Sequence, residues 1–377
     1  MSSLSSDLPS RADVRRYLVS LGWEARPHPN SRIELFEKAD GNHEVISIVI
    51  PSYDDASNER QMLEAAMGIL AEHQRVPSGD LSNMVLDWHR DVLTVRIFDY
   101  AGGVSSLPLT TASDTLIQLK NLMGYTAYTE QNPQPFFEKA GGVSAEFSAQ
   151  CRFGHTFRGS FGIRIEVPFD YTEPLLPMDG NPSDPPFERL VTERLAAGLN
   201  SLREASEVES IAPLVDGFLD GFSANMLWTL VGAYDGLNGA RIEYDLKWSG
   251  QLRSEYEEAW KPFVFEGRAF EFARKAAKEL EKVTQLPEHV VVGHVTALKS
   301  DMPPGLDEQQ EFEHIVTMYW EKERGNRVRI RVPLNPVDYM AACDAHKDGR
   351  KVRVFGYPEK TGKFWVLNRA HGFSAHV

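Results

Sequence analysis

Arg327-Val328-Arg329-Ile330-Arg331-Val332 alternates guanidinium and aliphatic side chains without a break. A β-strand turns successive side chains to opposite faces, so a period of two predicts a strand with three arginines outward and three apolar side chains inward. The preceding segment has the same rhythm: Val316, Met318 and Trp320 are expected inside, with Thr317, Tyr319 and Glu321 outside. Working outward, a strand is expected over residues 289–298, then a loop carrying Asp301-Met302-Pro303-Pro304-Gly305, then strands over 313–320 and 327–332. Pro333 to Ala345 reads as a helix. Strands over 351–357 and 364–368 complete the segment, with Lys360-Thr361-Gly362 as their turn.

The order β-β-β-α-β-β, with the helix between strands three and four, resembles the OB-fold, the five-stranded barrel common among binders of oligonucleotides and oligosaccharides. Lys351-Val352-Arg353-Val354-Phe355-Gly356 fits a fourth strand of that type, and Gly293 lies inside the long first strand, where barrels bend. The resemblance covers about the last quarter of the chain and implies a ligand surface on the outer face of strands two and three. On that face Tyr319 would be a stacking platform beside Arg327, Arg329 and Arg331, extended by Lys351 and Arg353. Such a row suits single-stranded nucleic acid. The same arginines would equally serve as the solvated side of an amphipathic strand, bridged to Glu313, Glu321 or Glu323, or as a docking face for an acidic protein.

Charge is segregated along the chain. The whole carries 40 Lys+Arg against 54 Asp+Glu, a net charge of −14. Residues 289–377 hold 13 basic and 11 acidic side chains, leaving 27 against 43 for the rest. The molecule as a whole repels nucleic acid and anionic membrane, so any such contact is local. Length and composition, 377 residues with 42% hydrophobic and 25% charged, exclude a largely disordered chain and predict two or three domains. Two cysteines, Cys151 and Cys343, are too few for a disulfide framework and suit a reducing cytoplasm. The first ten residues lack the apolar core of a signal peptide, and no apolar run reaches the ~20 residues needed to span a bilayer.

The fold class expected is α+β and multidomain: an N-terminal αβ unit over 1–103, a mainly helical middle over 104–287, and an OB-like barrel over 288–377. The first unit reads α-β-β-α-α-β. Ser10 caps a helix carrying Val14, Tyr17, Leu18 and Leu21; Asp40-Gly41-Asn42 turns a hairpin; a long helix capped within 54–58 ends near Gln74; a short helix precedes the strand Val92 to Phe98. In the middle, helices are expected near 112–123, 186–205, 211–218, 225–234 and 268–283, the last as a connector to the barrel. Two strands, 157–167 and 240–247, accompany them, and Tyr171 to Pro186 reads as a surface loop.

Motifs that would carry chemistry are weak. The N-terminal order resembles the core of restriction-type nucleases, but Val45-Ile46-Ser47-Ile48-Val49-Ile50 has neither the carboxylate nor the lysine that magnesium chemistry requires there. Asp54, Asp55 and Glu59 are better explained as helix N-terminal residues than as metal ligands. Asp87-Trp88-His89-Arg90-Asp91 flanks an imidazole with carboxylates, and Cys151 precedes His155 by four residues, yet neither has an identifiable third partner. Cys343, His346, His371 and His376 lack the paired short spacings of a zinc site. No Gly-Lys-Ser/Thr phosphate loop occurs. No catalytic residue, metal or cofactor is assigned. The expected role is a cytoplasmic nucleic-acid-binding or scaffold subunit acting through the barrel, without membrane contact. The alternatives are a protein-interaction adaptor in a multi-subunit complex, and an enzyme whose site lies around Cys151, His155 and the Tyr171–Pro186 loop.

Overall fold

The computed structural model describes residues 8–39, 45–53, 58–98, 100, 106–154, 161–169, 185–252, 254, 256–283, 287–300, 314–321, 327–361 and 364–375. The expected turn at Asp40-Gly41-Asn42, Asp54, Asp55, His155, His376, the Asp301–Gly305 loop and residues 171–184 lie outside them.

Helix α1 (Arg11–Ser20) begins in a capping box, with the Ser10 hydroxyl accepting from the Asp13 amide and the Asp13 carboxylate accepting from the Ser10 amide. Strands β1 (Glu24–Arg26), β2 (Ile33–Ala39) and β3 (Val45–Pro51) form an antiparallel sheet in that order. Alternation buries Ile48 and Ile50, which meet Val14, Tyr17 and Leu18 of α1 and the apolar side of α2 (Glu59–Gln74). Asn58 occupies the cap of α2, with no side-chain cap hydrogen bond among the described residues. Leu81 and Val85 of α3 (Ser78–Asp87) complete this first core.

Strand β4 (Arg90–Phe98), expected to end the first unit, is the central strand of a second antiparallel sheet ordered β5-β6-β4-β7-β8. Its residues 91–95 are all buried, as befits a strand covered on both faces. Around it are α4 (Leu109–Gln131), α5 (Gly142–Gln150), β5 (Arg152–Phe153), β6 (Phe161–Pro168), α6 (Phe187–Glu207), α7 (Ala212–Val215), α8 (Ala224–Gly236), β7 (Arg241–Lys247), β8 (Phe263–Phe265) and α9 (Gly267–Leu280). Helix α9 is more than a connector. Ala269, Phe270, Ala273, Ala276, Ala277 and Leu280 recur at helical spacing and bury one face against α6 and α8, with Phe270 stacked on Tyr234.

The last segment closes into a five-stranded barrel: β9 (His289–Ser300), β10 (His314–Glu321), β11 (Arg327–Leu334), β12 (Lys351–Thr361) and β13 (Phe364–Ala375), in the spatial order β10-β11-β13-β12-β9. Strands β11 and β13 run parallel, every other pair antiparallel, and α10 (Pro336–Lys347) sits between strands three and four. This architecture is compatible with an OB-like fold. Val316, Met318, Ile330, Val332, Val352, Val354 and Leu367 fill the barrel, and the Tyr339, Ala342 and Ala345 side of α10 packs on it. At Gly293 the backbone of β10 comes so close that a Cβ would lie 1.6 Å from the Tyr319 carbonyl oxygen. The close approach therefore makes glycine a requirement at this position. The fold is thus α+β, and no helix among the described residues is long and apolar enough to cross a membrane.

Candidate nucleic-acid interface

The alternation read from the sequence places the basic row on the outer barrel surface. Along β10 and β11 the inward side chains are buried or nearly so, and Thr317, Tyr319 and Glu321 face out opposite Arg331, Arg329 and Arg327 respectively. Tyr319 and Arg329 form the centre of this face. The guanidinium carbon of Arg329 lies 5.7 Å from the Tyr319 ring centroid, a cation–π arrangement, and its NH2 is 3.4 Å from the Tyr319 hydroxyl.

Glu321 organises the edge of the face. Its carboxylate accepts from Lys351 Nζ at 2.5 Å, lies 3.5 Å from Arg327 NH2 and 4.0 Å from His294 Nδ1. The Lys351 hydrogen bond, followed by the charges of Lys351 and Arg327, holds the Glu321 carboxyl below the usual carboxylate range. Among the described residues this one carboxylate is shared between two full cations, Lys351 and Arg327. Arg327 and Lys351 are 67% and 47% exposed, as solvent-screened bridges are. Glu313 and Glu323, the other carboxylates expected near the row, lie outside the described residues.

Arg353 faces out two residues beyond Lys351 on β12, with its guanidinium carbon 5.4 Å from the Phe355 ring centroid. The six expected residues therefore share the barrel exterior but fall on two strand pairs, joined where Lys351 meets Glu321. Phe355, Tyr357, Arg369 and His371 flank Arg353; of these the sequence points to His371 only as a metal-ligand candidate and to Phe355 only as part of the fourth strand, and to none as a member of this face. Irregular pairing between β12 and β13 brings them together, and no short-range pattern announces it.

The other motifs resolve into structure. Asp87 and Glu166 hold Arg164 between them, and Glu166 also pairs with Arg90, tying α3 to the second sheet. Burial would raise the Glu166 carboxyl, but the two arginines pull it below its ordinary value. His89 Nδ1 is 2.7 Å from Gln251 Oε1, and burial lowers its pKa. Asp91 is fully buried, accepts from the Ser249 amide at 2.8 Å and the Thr192 hydroxyl at 2.5 Å, and lies 2.9 Å from Arg189 NH2. The Arg189 guanidinium, equally buried, sits between the rings of Phe169 and Trp248. This cluster locks β4 to α6 and the chain after β7.

Burial pushes the Cys151 thiol up to about 12, which removes the thiolate that a nucleophile needs. Cys343 is raised by burial too. His346 Nδ1 is 2.7 Å from the Val295 carbonyl oxygen and His371 lies on β13, so Cys343, His346 and His371 do not converge; among the described residues no group of three metal-ligating side chains does.

Compared with known proteins, the chain matches no family model, no curated protein and no solved structure.

Proposed function

We propose that the chain is a cytoplasmic nucleic-acid-binding or scaffold subunit that takes a single strand, or a structured end, on the outer face of its barrel. The observation that supports this most is the pairing of Tyr319 with Arg329 at the centre of an arginine-bearing strand. The ring offers a stacking surface to a base, and the guanidinium beside it has the forked donors that match phosphate. Arg327, Arg331, Lys351 and Arg353 supply the surrounding charge. Contacts of this kind read the backbone more than the sequence, and they weaken steeply with salt. The two cysteines, both free thiols, suit the reducing compartment this role requires.

The test is fluorescence anisotropy with labelled single-stranded DNA and RNA of about 12 nucleotides, within the span one such barrel covers, at low and moderate salt. The comparison is a variant carrying Arg327→Glu, Arg329→Glu and Arg331→Glu. Salt-sensitive binding by the wild type, at least about tenfold weaker in a folded variant, is the expected result. No binding by the wild type at low salt would sink this reading. It would favour an adaptor role, for which α10 offers Val337 and Met340, 79% and 47% exposed.

A further inference from the structure

Strand β13 does not pair regularly with β12. Phe355 is opposite His371 and Tyr357 is opposite Asn368, so Arg369 and Ala370 on β13 face the single residue Gly356. A second irregularity puts Gly372 and Phe373 against Val354 alone, between the Phe355–His371 and Arg353–Ser374 pairs. Each bulge carries a left-handed residue, Arg369 at φ 51° and Gly372 at φ 62°. Glycine adopts that conformation freely; arginine does so at a cost, and bulges are a usual means of re-aiming a side chain.

The re-aimed side chains meet aromatic rings. The Arg369 guanidinium carbon lies 5.9 Å from the Tyr357 ring centroid, His371 is stacked on Phe355 with centroids 5.8 Å apart, and Arg353 covers Phe355 from along the strand. Rings and basic side chains thus lie against each other along the hairpin's outer face. Opposite each other in the pairing, Arg353 Nε and Ser374 Oγ are buried without a hydrogen-bond partner among the described residues. The carboxylates nearby are engaged: Glu359 accepts from Asn368 Nδ2 at 2.5 Å, and Glu288 lies 3.5 Å from His371 Nε2. At its start the hairpin joins the Tyr319–Arg329 face through Lys351 and Glu321.

We propose that the outer face of the β12–β13 hairpin, carried by Arg353, Phe355, Tyr357, Arg369 and His371, is a second track for a single-stranded nucleic acid that has crossed β10 and β11. This inference rests on the reading of the Tyr319–Arg329 face given above. The half-buried rings of Phe355 and Tyr357 receive bases at their open edges, and Arg353 and Arg369 face the phosphates between them. Two faces in series make affinity depend on strand length, because a short strand occupies only the first.

The experiment measures anisotropy of labelled single strands of about 5 and about 15 nucleotides, lengths near the short and long ends of what one barrel holds. The wild type is compared with Arg369→Gly and with Tyr357→Ala, neither of which belongs to the first face. Glycine at 369 keeps the left-handed backbone, so thermal melting of that variant should match the wild type and certify the fold. The expected result is binding of the longer strand weakened about fivefold or more, with the shorter strand within about twofold. A longer strand with abasic sites at alternate positions should bind the wild type more weakly than the intact one.

Unchanged binding of the longer strand by both variants overturns the second track while leaving the first face intact. Equal losses at both lengths overturn it as well, since the hairpin would then be the primary contact. Poly-glutamate binding as tightly as the longer strand would reassign the hairpin to an acidic protein partner. A wild type that binds neither strand at low salt removes both readings together, and that result is distinct from the others.

Discussion

Lys360 of β12 is ion-paired to Glu130 of α4, and the second oxygen of the same carboxylate accepts from Arg194 Nε of α6 at 2.7 Å. A barrel strand is thereby held to two helices of the middle region by side chains that are all at least nine-tenths buried. Arg194 is satisfied further by the carbonyls of Leu219 and Gly221, at 2.7 and 3.0 Å, and Lys360 lies over the Trp365 ring. Buried charge of this kind is secure only while each member keeps its partner.

Glu130→Ala leaves two buried cations facing each other. It is expected to cost about 3–5 kcal/mol in urea unfolding, the range for removing one member of a buried pair. Lys360→Met should cost clearly less, because Glu130 then retains Arg194 and the methionine fills the space against Trp365. Equal, small losses for the two variants would show that water reaches the pair and that the barrel is held by apolar contact alone.

Asp91 gives stability a pH dependence opposite to that of most paired carboxylates. Burial raises its carboxyl from 3.8 to about 6, outweighing Arg189, Thr192 and Ser249, which pull it down. Between about pH 4 and pH 6 the folded state holds a proton that the unfolded chain has released, so stability falls as pH rises through that window. The displacement corresponds to about 3 kcal/mol when complete. Asp91→Asn, of similar shape and unable to ionise, should gain on the wild type by up to that amount between pH 4 and pH 7. A difference between the two proteins that stays flat across this range would mean that Arg189 fully offsets burial.

The barrel was legible because its chemistry repeats every second residue. Arg327 to Val332 and Val316 to Glu321 disclose their faces without reference to partners. What failed to show were relationships set by distant pairing. Nothing local in Val92 to Phe98 tells that its neighbours are β6 and β7 instead of β2 and β3. The expected fourth strand ended at Tyr357, before Pro358. The strand continues to Thr361 because beyond Gly356 β12 has β13 alone beside it, an edge where proline is tolerated. Lys360 illustrates the same limit, since a lysine near a hairpin turn reads as exposed until α4 and α6 are packed over it. The Phe355–His371 and Tyr357–Arg369 pairs depend on two bulges, and Gly372 was their sole sequence trace.

Gly293 provides a direct check on the barrel. A methyl group there would have to displace the β10 backbone at Tyr319, and backbone cannot yield as a flexible side-chain end can. Gly293→Ala is expected to lose more than about 3 kcal/mol in denaturant unfolding, beyond the usual cost of overpacking. Hydrogen exchange should quicken first in β9 and β10, leaving the first core around Tyr17 and Ile50 protected. Native-like exchange throughout the barrel would mean that β9 and β10 can separate at this crossing without loss.

Cys151 tests whether the middle region harbours a nucleophile. With its thiol pushed up to about 12 by burial, Cys151 carries far less thiolate at pH 8 than an unperturbed cysteine. Iodoacetamide at pH 8 should therefore leave Cys151 unmodified in the native protein over a period that labels it fully in urea, as read by peptide mass spectrometry. Cys343, also raised by burial, reports separately on the barrel side through its own peptide. Native labelling of Cys151 as fast as in urea would show an ionised, reachable thiol and would return the enzyme reading to contention. Protection of Cys151 lost on its own, with Cys343 still shielded, would instead locate local opening at the end of α5, where the Cys151 amide donates to the Phe147 carbonyl at 3.2 Å.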